Sequence, residues 1–503
     1  MTNGISHRDN PLLEVHNIFT CQPQGGGIMD ATQSHHPKAL PFLFFTEMWE
    51  RFGFYIAQGL LVLYMTKYYG FSDDVSGTIS GVFAGLVYIS PFVGGFIADK
   101  LLGFKTSILW GGFFLVLGYA LLAISTMQTL FYPALATIIV GNGLFKPNIS
   151  SLLGMQYSTN DPRRDAGFTL FYIGINIGAA LSGISGYIKN AFGWNITFAM
   201  ASIGMIIGLV TFRAGFKHFK NLKEEPTISR TFKYQLIFYC ILAIIGLSFL
   251  LKINALANWL LPCAGIILLI FLSILTLRQH AENRKRLLVL KTLIISSIVF
   301  WALFLQLFIS ANLFVDRLVE KNLFGIPLTT TLFYASESIF IILLGPLFAS
   351  AWQTLGRNDK NPSPVYKFVL GIIFAGLGFL VLSASTLFAN DNGMINPLWV
   401  FFSYLLITIG ELLLSPIGLS AVTLLAPPHL IGMMMGIWFV ATGFGGLFAG
   451  LISKIASIPE GTVSAAEKLA IYQSAFLHFA YLAFLVAIIL FFIQLVLRRF
   501  LKE

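Results

Sequence analysis

Residues 40–66 read LPFLFFTEMWERFGFYIAQGLLVLYMT. A helix needs about 20 predominantly apolar residues to cross a bilayer, and this segment has that length. Yet Glu47, Glu50 and Arg51 stand near its middle. Each such charge costs about 2.5–3.5 kcal/mol at a helix centre, so each needs a partner or a wet cavity. At i, i+3 and i+4 the three share one helix face. Phe54, Tyr55 and Gln58 continue that face or its margin. One side of this helix is therefore expected to look into a polar interior. The plainer alternative is a Glu–Arg pair that only locks two helices together.

The apolar texture continues along the chain. Of 503 residues, 56% are hydrophobic and 11% charged, and 49 are Phe. Soluble domains are about 25% charged, so a water-exposed fold could not cover its surface with this composition. The fold class is all-α membrane protein. The net charge of +10 does not indicate nucleic acid, because the basic residues sit in short loops between apolar spans. Anionic lipid and membrane topology account for them there. Cys21, Cys240 and Cys263 form neither a metal-ligand spacing nor a disulfide framework. Residues 1–37 are polar, lack the apolar core of a signal peptide, and read as a disordered cytoplasmic tail.

Fourteen candidate spans follow: 40–66, 77–98, 105–125, 129–155, 167–188, 194–213, 233–251, 257–277, 290–315, 327–352, 366–388, 397–424, 431–454 and 469–497. An even number puts both termini on one side. If that side is cytoplasmic, inside segments hold 23 of the 32 Lys and Arg residues and outside segments hold 7 (Lys67, Lys189, Lys252, Arg317, Lys321, Lys454 and Lys468). Arg51 and Lys146 remain within spans. The excess agrees with the positive-inside rule. The spans group as six, two and six: a bundle over 38–214, linkers with an inserted helix pair over 215–289, a second bundle over 290–499, and a short tail over 500–503. Two six-helix halves are the architecture of major-facilitator transporters, with sites near the midplane between them. Gly103 and Gly356 end the second span of each half and suit tight turns.

Lys146 lies in Gly143-Leu144-Phe145-Lys146-Pro147-Asn148, and Glu411 in Gly410-Glu411-Leu412-Leu413-Leu414-Ser415-Pro416. Each is on the fourth span of its half, so pseudo-symmetry places them opposite one another across the central cavity. A Lys–Glu pair there can open and close with the halves, and a carboxylate alternating between those settings can take up and release a proton. Glu337 is the remaining midmembrane acid. Asp99 and Lys100 read as gate or loop residues. Phe304 and Tyr334 read as lipid-facing or core, and Trp438 is expected at a pocket.

Glu47-Met48-Trp49-Glu50-Arg51-Phe52-Gly53-Phe54-Tyr55 resembles the ExxERFxYY signature of the proton-dependent oligopeptide transporter (POT/PTR) family of the major facilitator superfamily. The segments around Lys146, Phe171-Tyr172-Ile173-Gly174-Ile175-Asn176-Ile177-Gly178, the segment around Glu411, and Met435-Gly436-Ile437-Trp438-Phe439 are similar to its later motifs, in order. The resemblance implies proton-driven uptake of short peptides by alternating access at a bacterial inner membrane, with the proton as coupling ion and no other cofactor. It implies proton coupling at Glu47, Glu50, Arg51 and Glu411. It also implies substrate binding at Lys146, Asn176 and Glu411, with Lys146 near the peptide carboxylate and Asn176 and Glu411 near its amine; Tyr55, Gln58 and Trp438 are further substrate-binding candidates. The sequence departs from the pattern at Phe54, Gln58, Leu305 and Glu337. Gln58 and Leu305 stand where the family carries an Arg and an acid read as an external gate pair, so the gate is expected to close by other contacts. Glu337 replaces an Asn beside the expected amine site and is a further substrate-binding candidate. Four midmembrane acids against two bases leave a net charge of −2. That is costly in low dielectric and calls for a proton or a substrate cation.

The leading expectation is a proton-coupled symporter for short peptides or peptide-like solutes, monomeric and embedded in the bilayer. The alternative is a carrier of a single amino acid, an amine or an amino-bearing metabolite on the same scaffold. An enzyme is disfavoured, because no metal spacing or Ser/His/Asp constellation is present in the sequence. An ATP-driven pump lacks its nucleotide motif. The topology is directly testable. Arg8→Cys and Lys502→Cys, each in a cysteine-free variant, are expected to resist impermeant thiol reagents in intact cells. Labelling of either from outside would reject a cytoplasmic location for the termini.

Overall fold

The computed structural model describes residues 36–158, 161, 163–219, 230–357, 360–427, 430–461 and 464–500. Most of the polar tail expected over 1–37 lies outside the described residues, as do 220–229 of the linker and 501–503. The first six-helix half comprises α1 (Leu40–Lys67), α2 (Asp73–Ile97), α3 (Phe104–Ile124), α4 (Gln128–Gly154), α5 (Arg164–Leu181) and α6 (Ser185–Ala214). The inserted pair is α7 (Arg230–Lys252) and α8 (Asn254–Leu277). The second half comprises α9 (Ala281–Phe304), α10 (Ser310–Leu318), α11 (Thr330–Arg357), α12 (Pro364–Ser385), α13 (Pro397–Leu425), α14 (Ile431–Ile452) and α15 (Ala465–Phe500). A short hairpin, β1 (Asn322–Leu323) and β2 (Ile326–Pro327), joins α10 to α11.

Eleven helical segments among the described residues are long and apolar enough to cross a membrane. One, over 166–218, is 53 residues long because α5 runs into α6 through a 3-10 turn at Ser182–Ile184. The chain bends at Gly193 instead, with φ at 82°, a conformation open chiefly to glycine. That is the break expected between the fifth and sixth spans. Helix α1, with 28 residues, and α8, with 24, also have crossing length. The arrangement is consistent with fourteen spans. Helices α9 and α10 form one broken span of 38 residues, interrupted by a 3-10 turn at Leu305–Phe308. Of the two expected turn glycines, Gly103 has φ at 74°. Gly356 does not turn; it lies within α11, which continues to Arg357.

The halves meet most closely where α2 crosses α14. A Cβ built on Gly81 would stand 2.5 Å from the Gly450 Cα, and one on Gly85 would stand 2.9 Å from the Gly443 carbonyl oxygen. Lipid tails are as apolar as the helices, so association rests on close packing, which small residues allow. The inserted pair touches the first half through α7, where Cys240 packs with Phe114 and Leu144.

Gly81→Ala is expected to force the two backbones apart. Overpacking of this kind costs about 1–3 kcal/mol. The purified protein should melt at a lower temperature than wild type, whereas an unchanged melting temperature would mean that the helices do not approach as described.

Candidate functional site

The α1 charges are fully enclosed: Glu47, Glu50 and Arg51 are 1%, 0% and 3% exposed. The Arg51 guanidinium donates to Glu50 Oε2, with Glu47 Oε1 at 3.4 Å from the same nitrogen. A terminal nitrogen of Arg51 donates to Asn142 Oδ1 at 3.3 Å, and Asn142 in turn donates to the Val87 carbonyl at 2.8 Å. The Phe54 ring lies 4.8 Å from the guanidinium carbon. Helical spacing puts the acids and the base on one face, and α4 supplies the polar partner that a buried guanidinium needs.

Lys146 does not pair with Glu411 in this conformation. Its ammonium sits 4.7 Å from the centre of the Tyr88 ring on α2. Its electrostatic neighbours are Arg51, Glu47 and Glu50 of its own half. Pseudo-symmetry places a residue along its helix, but the rotamer is set by the nearest charges. The cross-cavity pair expected from sequence is replaced by an arrangement in which two acids and two bases of the first half balance each other.

In the second half, Glu337 on α11 and Glu411 on α13 are 3% and 8% exposed. The two carboxyl groups are electrostatic neighbours. Ser338 Oγ donates to Glu337 Oε2 at 2.9 Å. Among the described residues no donor reaches Glu411 Oε2. Tyr55, Tyr88 and Tyr172 of the first half are the electrostatic neighbours facing this pair. Asn176 is turned back to the Tyr172 carbonyl at 2.9 Å. Gln58 is buried, and its Oε1 has no described donor.

The Trp438 indole occupies the space that a Gly418 Cβ would fill on α13, and it stands edge-on to Phe368 with ring centres 6.1 Å apart. Tyr334 is core, 2% exposed, and its ring lies directly over Gly59 of α1. With Tyr55 and Phe308 it builds an aromatic lid, with centroid distances of 6.1 Å for Tyr55–Phe308 and 5.5 Å for Phe308–Tyr334. Asn312 Nδ2 ties the lid to the Gly59 carbonyl at 2.7 Å. Tyr334 lies one turn before Glu337, a spacing that could have flagged it.

Leu305 and Gln58 leave no charged pair at the family's gate position, and other contacts close that end. Both Arg317 terminal nitrogens reach Asp73 at 2.7 Å, and Asp73 also accepts from the Ile458 backbone at 3.0 Å. Lys67 pairs with Asp316 at 2.7 Å and Lys454 with Asp74 at 3.2 Å. Each pair joins one half to the other at the end where α1 finishes. Asp73 and Asp74 also open α2, where helix geometry favours negative charge.

The sequence profile described as POT family matches residues 105–469. The chain is 35% identical over 459 residues to a protein named dipeptide and tripeptide permease A from Serratia proteamaculans, covering 90% of each chain. It is 33% identical over 446 residues to dipeptide and tripeptide permease B from Salmonella typhimurium, covering 88% of this chain and 91% of the relative. A crystal structure described as peptide transporter POT in complex with sulfate superposes with a TM-score of 0.79 at 30% identity, covering 97% of this chain and 99% of that one. Another, a POT family transporter in complex with 5-aminolevulinic acid, gives a TM-score of 0.80 at 28% identity, covering 92% and 97%.

Asp73→Asn would leave Arg317 with a weakened partner. Hydrogen bonds to charged groups contribute about 1.5–3 kcal/mol, so the closed end should loosen. Spin labels on Thr126→Cys and Glu460→Cys, both exposed at that end, should move apart in the Asp73→Asn background. An unchanged distance distribution would mean that this pair does not hold the halves together.

Proposed function

The chain belongs to the POT family, and from that premise we propose that it is a proton-coupled symporter for short peptides or peptide-like solutes. It is an integral multi-pass membrane protein, a transporter and not an enzyme. The observation that carries the proposal is the enclosed Glu47–Glu50–Arg51 cluster in the middle of a helix of crossing length. Buried ionisable groups facing a bundle interior mark ion and substrate pathways. The names of the relatives support peptides as cargo.

With the termini on the cytoplasmic side of a bacterial inner membrane, the clasped end faces outward and this conformation is the inward-facing one. Alternating access then consists of releasing the clasp around Asp73 and Arg317 while the opposite end closes. Glu47, Glu50 and Arg51 carry the coupling proton through changes in their mutual pairing. Lys146 answers the peptide carboxylate, and the Glu337–Glu411 pair answers its amine, with Asn176, Tyr55 and Gln58 on the cavity wall. No cofactor other than the proton is invoked, and the monomer is the transporting unit. The carboxyl pair also favours a second reading, an amine or amino-bearing metabolite as cargo.

Glu50→Gln is the decisive variant. In proteoliposomes with an imposed pH gradient it should lose uphill uptake of labelled L-alanyl-L-alanine yet keep counterflow, since exchange needs binding and rocking but no net proton movement. Uphill accumulation at the wild-type level would remove Glu50 from the coupling step.

A further inference from the structure

We propose that the groove between the inserted helix α7 and the first half is a binding site for one acyl chain of a membrane phospholipid, with Lys100 at its mouth to meet the phosphate. The groove holds about 560 Å³ and is lined from Leu86 to Ile97 on α2, from Ile139 to Leu144 on α4 and from Leu236 to Leu247 on α7. Its floor is the crossing of α2 and α4, where a Cβ on Gly94 would run into the Gly143 carbonyl. Leu144 and Cys240 are buried there. Val93 and Tyr239 at the lip are 54% and 64% exposed, so the groove opens sideways to the bilayer. On α7 a Cβ at Gly246 would meet nothing within 4 Å, which leaves room along that wall. Ser90 donates its hydroxyl to the Val87 carbonyl at 3.3 Å. Apart from it, the Tyr239 hydroxyl and the Cys240 thiol, the lining side chains are apolar.

The dimensions of the groove select its occupant. From Leu236 to Leu247 α7 rises about 16 Å, at about 1.5 Å per residue. Half of a 30 Å hydrocarbon core is about 15 Å, so the groove is one leaflet deep. Spread over that length, its volume gives a mean width of about 6–7 Å. A helix with its side chains is about 10–12 Å across and is too thick to enter. A single extended hydrocarbon chain fits, and the bilayer supplies such chains along the open side. Left empty, an apolar slot forfeits dispersion contacts along its whole lining. The groove occupies the part of α2 that leads away from the clasp at Asp73. Lys100 follows Ile97 by one turn at that end and is exposed. Basic residues at the inner ends of membrane helices receive lipid phosphates. Asp99 beside it is also exposed, so the mouth has no net charge and the acyl chain carries most of the binding. A chain in the groove touches α2, α4 and α7 at once. It thereby adds to the contact that Cys240 makes with Phe114 and Leu144, and holds the inserted helix against the first half.

The test places the full chain in lipid nanodiscs that contain a phosphatidylglycerol probe with a photoactivatable diazirine near the end of one acyl chain. After illumination, mass spectrometry should find the label concentrated on groove residues such as Leu86, Ile139 and Leu247. The level there should exceed that on Leu485 and Ile488, which are 57% and 55% exposed on the open face of α15. Gly246→Phe puts a ring into the open space and should abolish labelling of the groove while α15 keeps its label. Ala243→Phe fills the same groove if Gly246→Phe fails to fold. Groove labelling no higher than that on α15, or unchanged in a folded filling variant, overturns the acyl-chain site. A diacylglycerol probe with the same chains lacks the phosphate and should label the groove less than the phospholipid does, and Lys100→Gln should remove the difference. Equal labelling by the two probes in wild type overturns Lys100 as the partner of the phosphate. Ala243→Cys, in a variant without Cys21, Cys240 and Cys263, should give no dimer with a bifunctional thiol reagent in the bilayer. A cross-linked dimer would put a second copy of the chain in the groove and overturn the lipid.

Discussion

A charge inside a bilayer has to be answered by another charge, a donor or water, because hydrocarbon offers none of these. In this chain that constraint organises the interior. Arg51 is the centre of the answer in the first half: it holds Glu50, approaches Glu47 and reaches Asn142 on α4. Asn142 extends the chain of contacts to the Val87 carbonyl on α2. Three helices of one half are thereby keyed to a single guanidinium, whose planar fork can serve several acceptors at once.

The second half answers the same constraint differently. It has two acids and no base near them, so its neutrality depends on what the cavity takes up. A half that is self-sufficient faces a half that is not. The tyrosines facing the pair add donors without adding charge.

Closure of the far end shows how lost contacts can be replaced. With Gln58 and Leu305 in the places of a charged pair, the seam there is aromatic and amide-bonded, through Tyr334, Phe308 and Asn312. Ionic contacts lie farther out, on Asp73, Asp74 and Lys67. Ion pairs at that level stand nearer to water than midmembrane ones, so breaking them in each cycle costs less than parting a buried pair. Below them the Gly81–Gly450 contact sets how near the halves can come.

Sequence by itself determined the membrane class, the approximate spans with the break between the fifth and sixth, and the shared face of Glu47, Glu50 and Arg51. Those features rest on local properties, namely apolar run length, helical period and the backbone freedom of glycine. Tertiary structure alone decided where the side chains turned. Lys146 rests over the Tyr88 ring, with Arg51, Glu47 and Glu50 of its own half as its electrostatic neighbours. Trp438 fills the recess at Gly418, Tyr334 covers Gly59, and Arg317 finds Asp73 across 244 positions of chain. That Glu337 and Glu411 are electrostatic neighbours is of this kind: each lies on a different helix, and only the packing of α11 on α13 sets the two acids near one another.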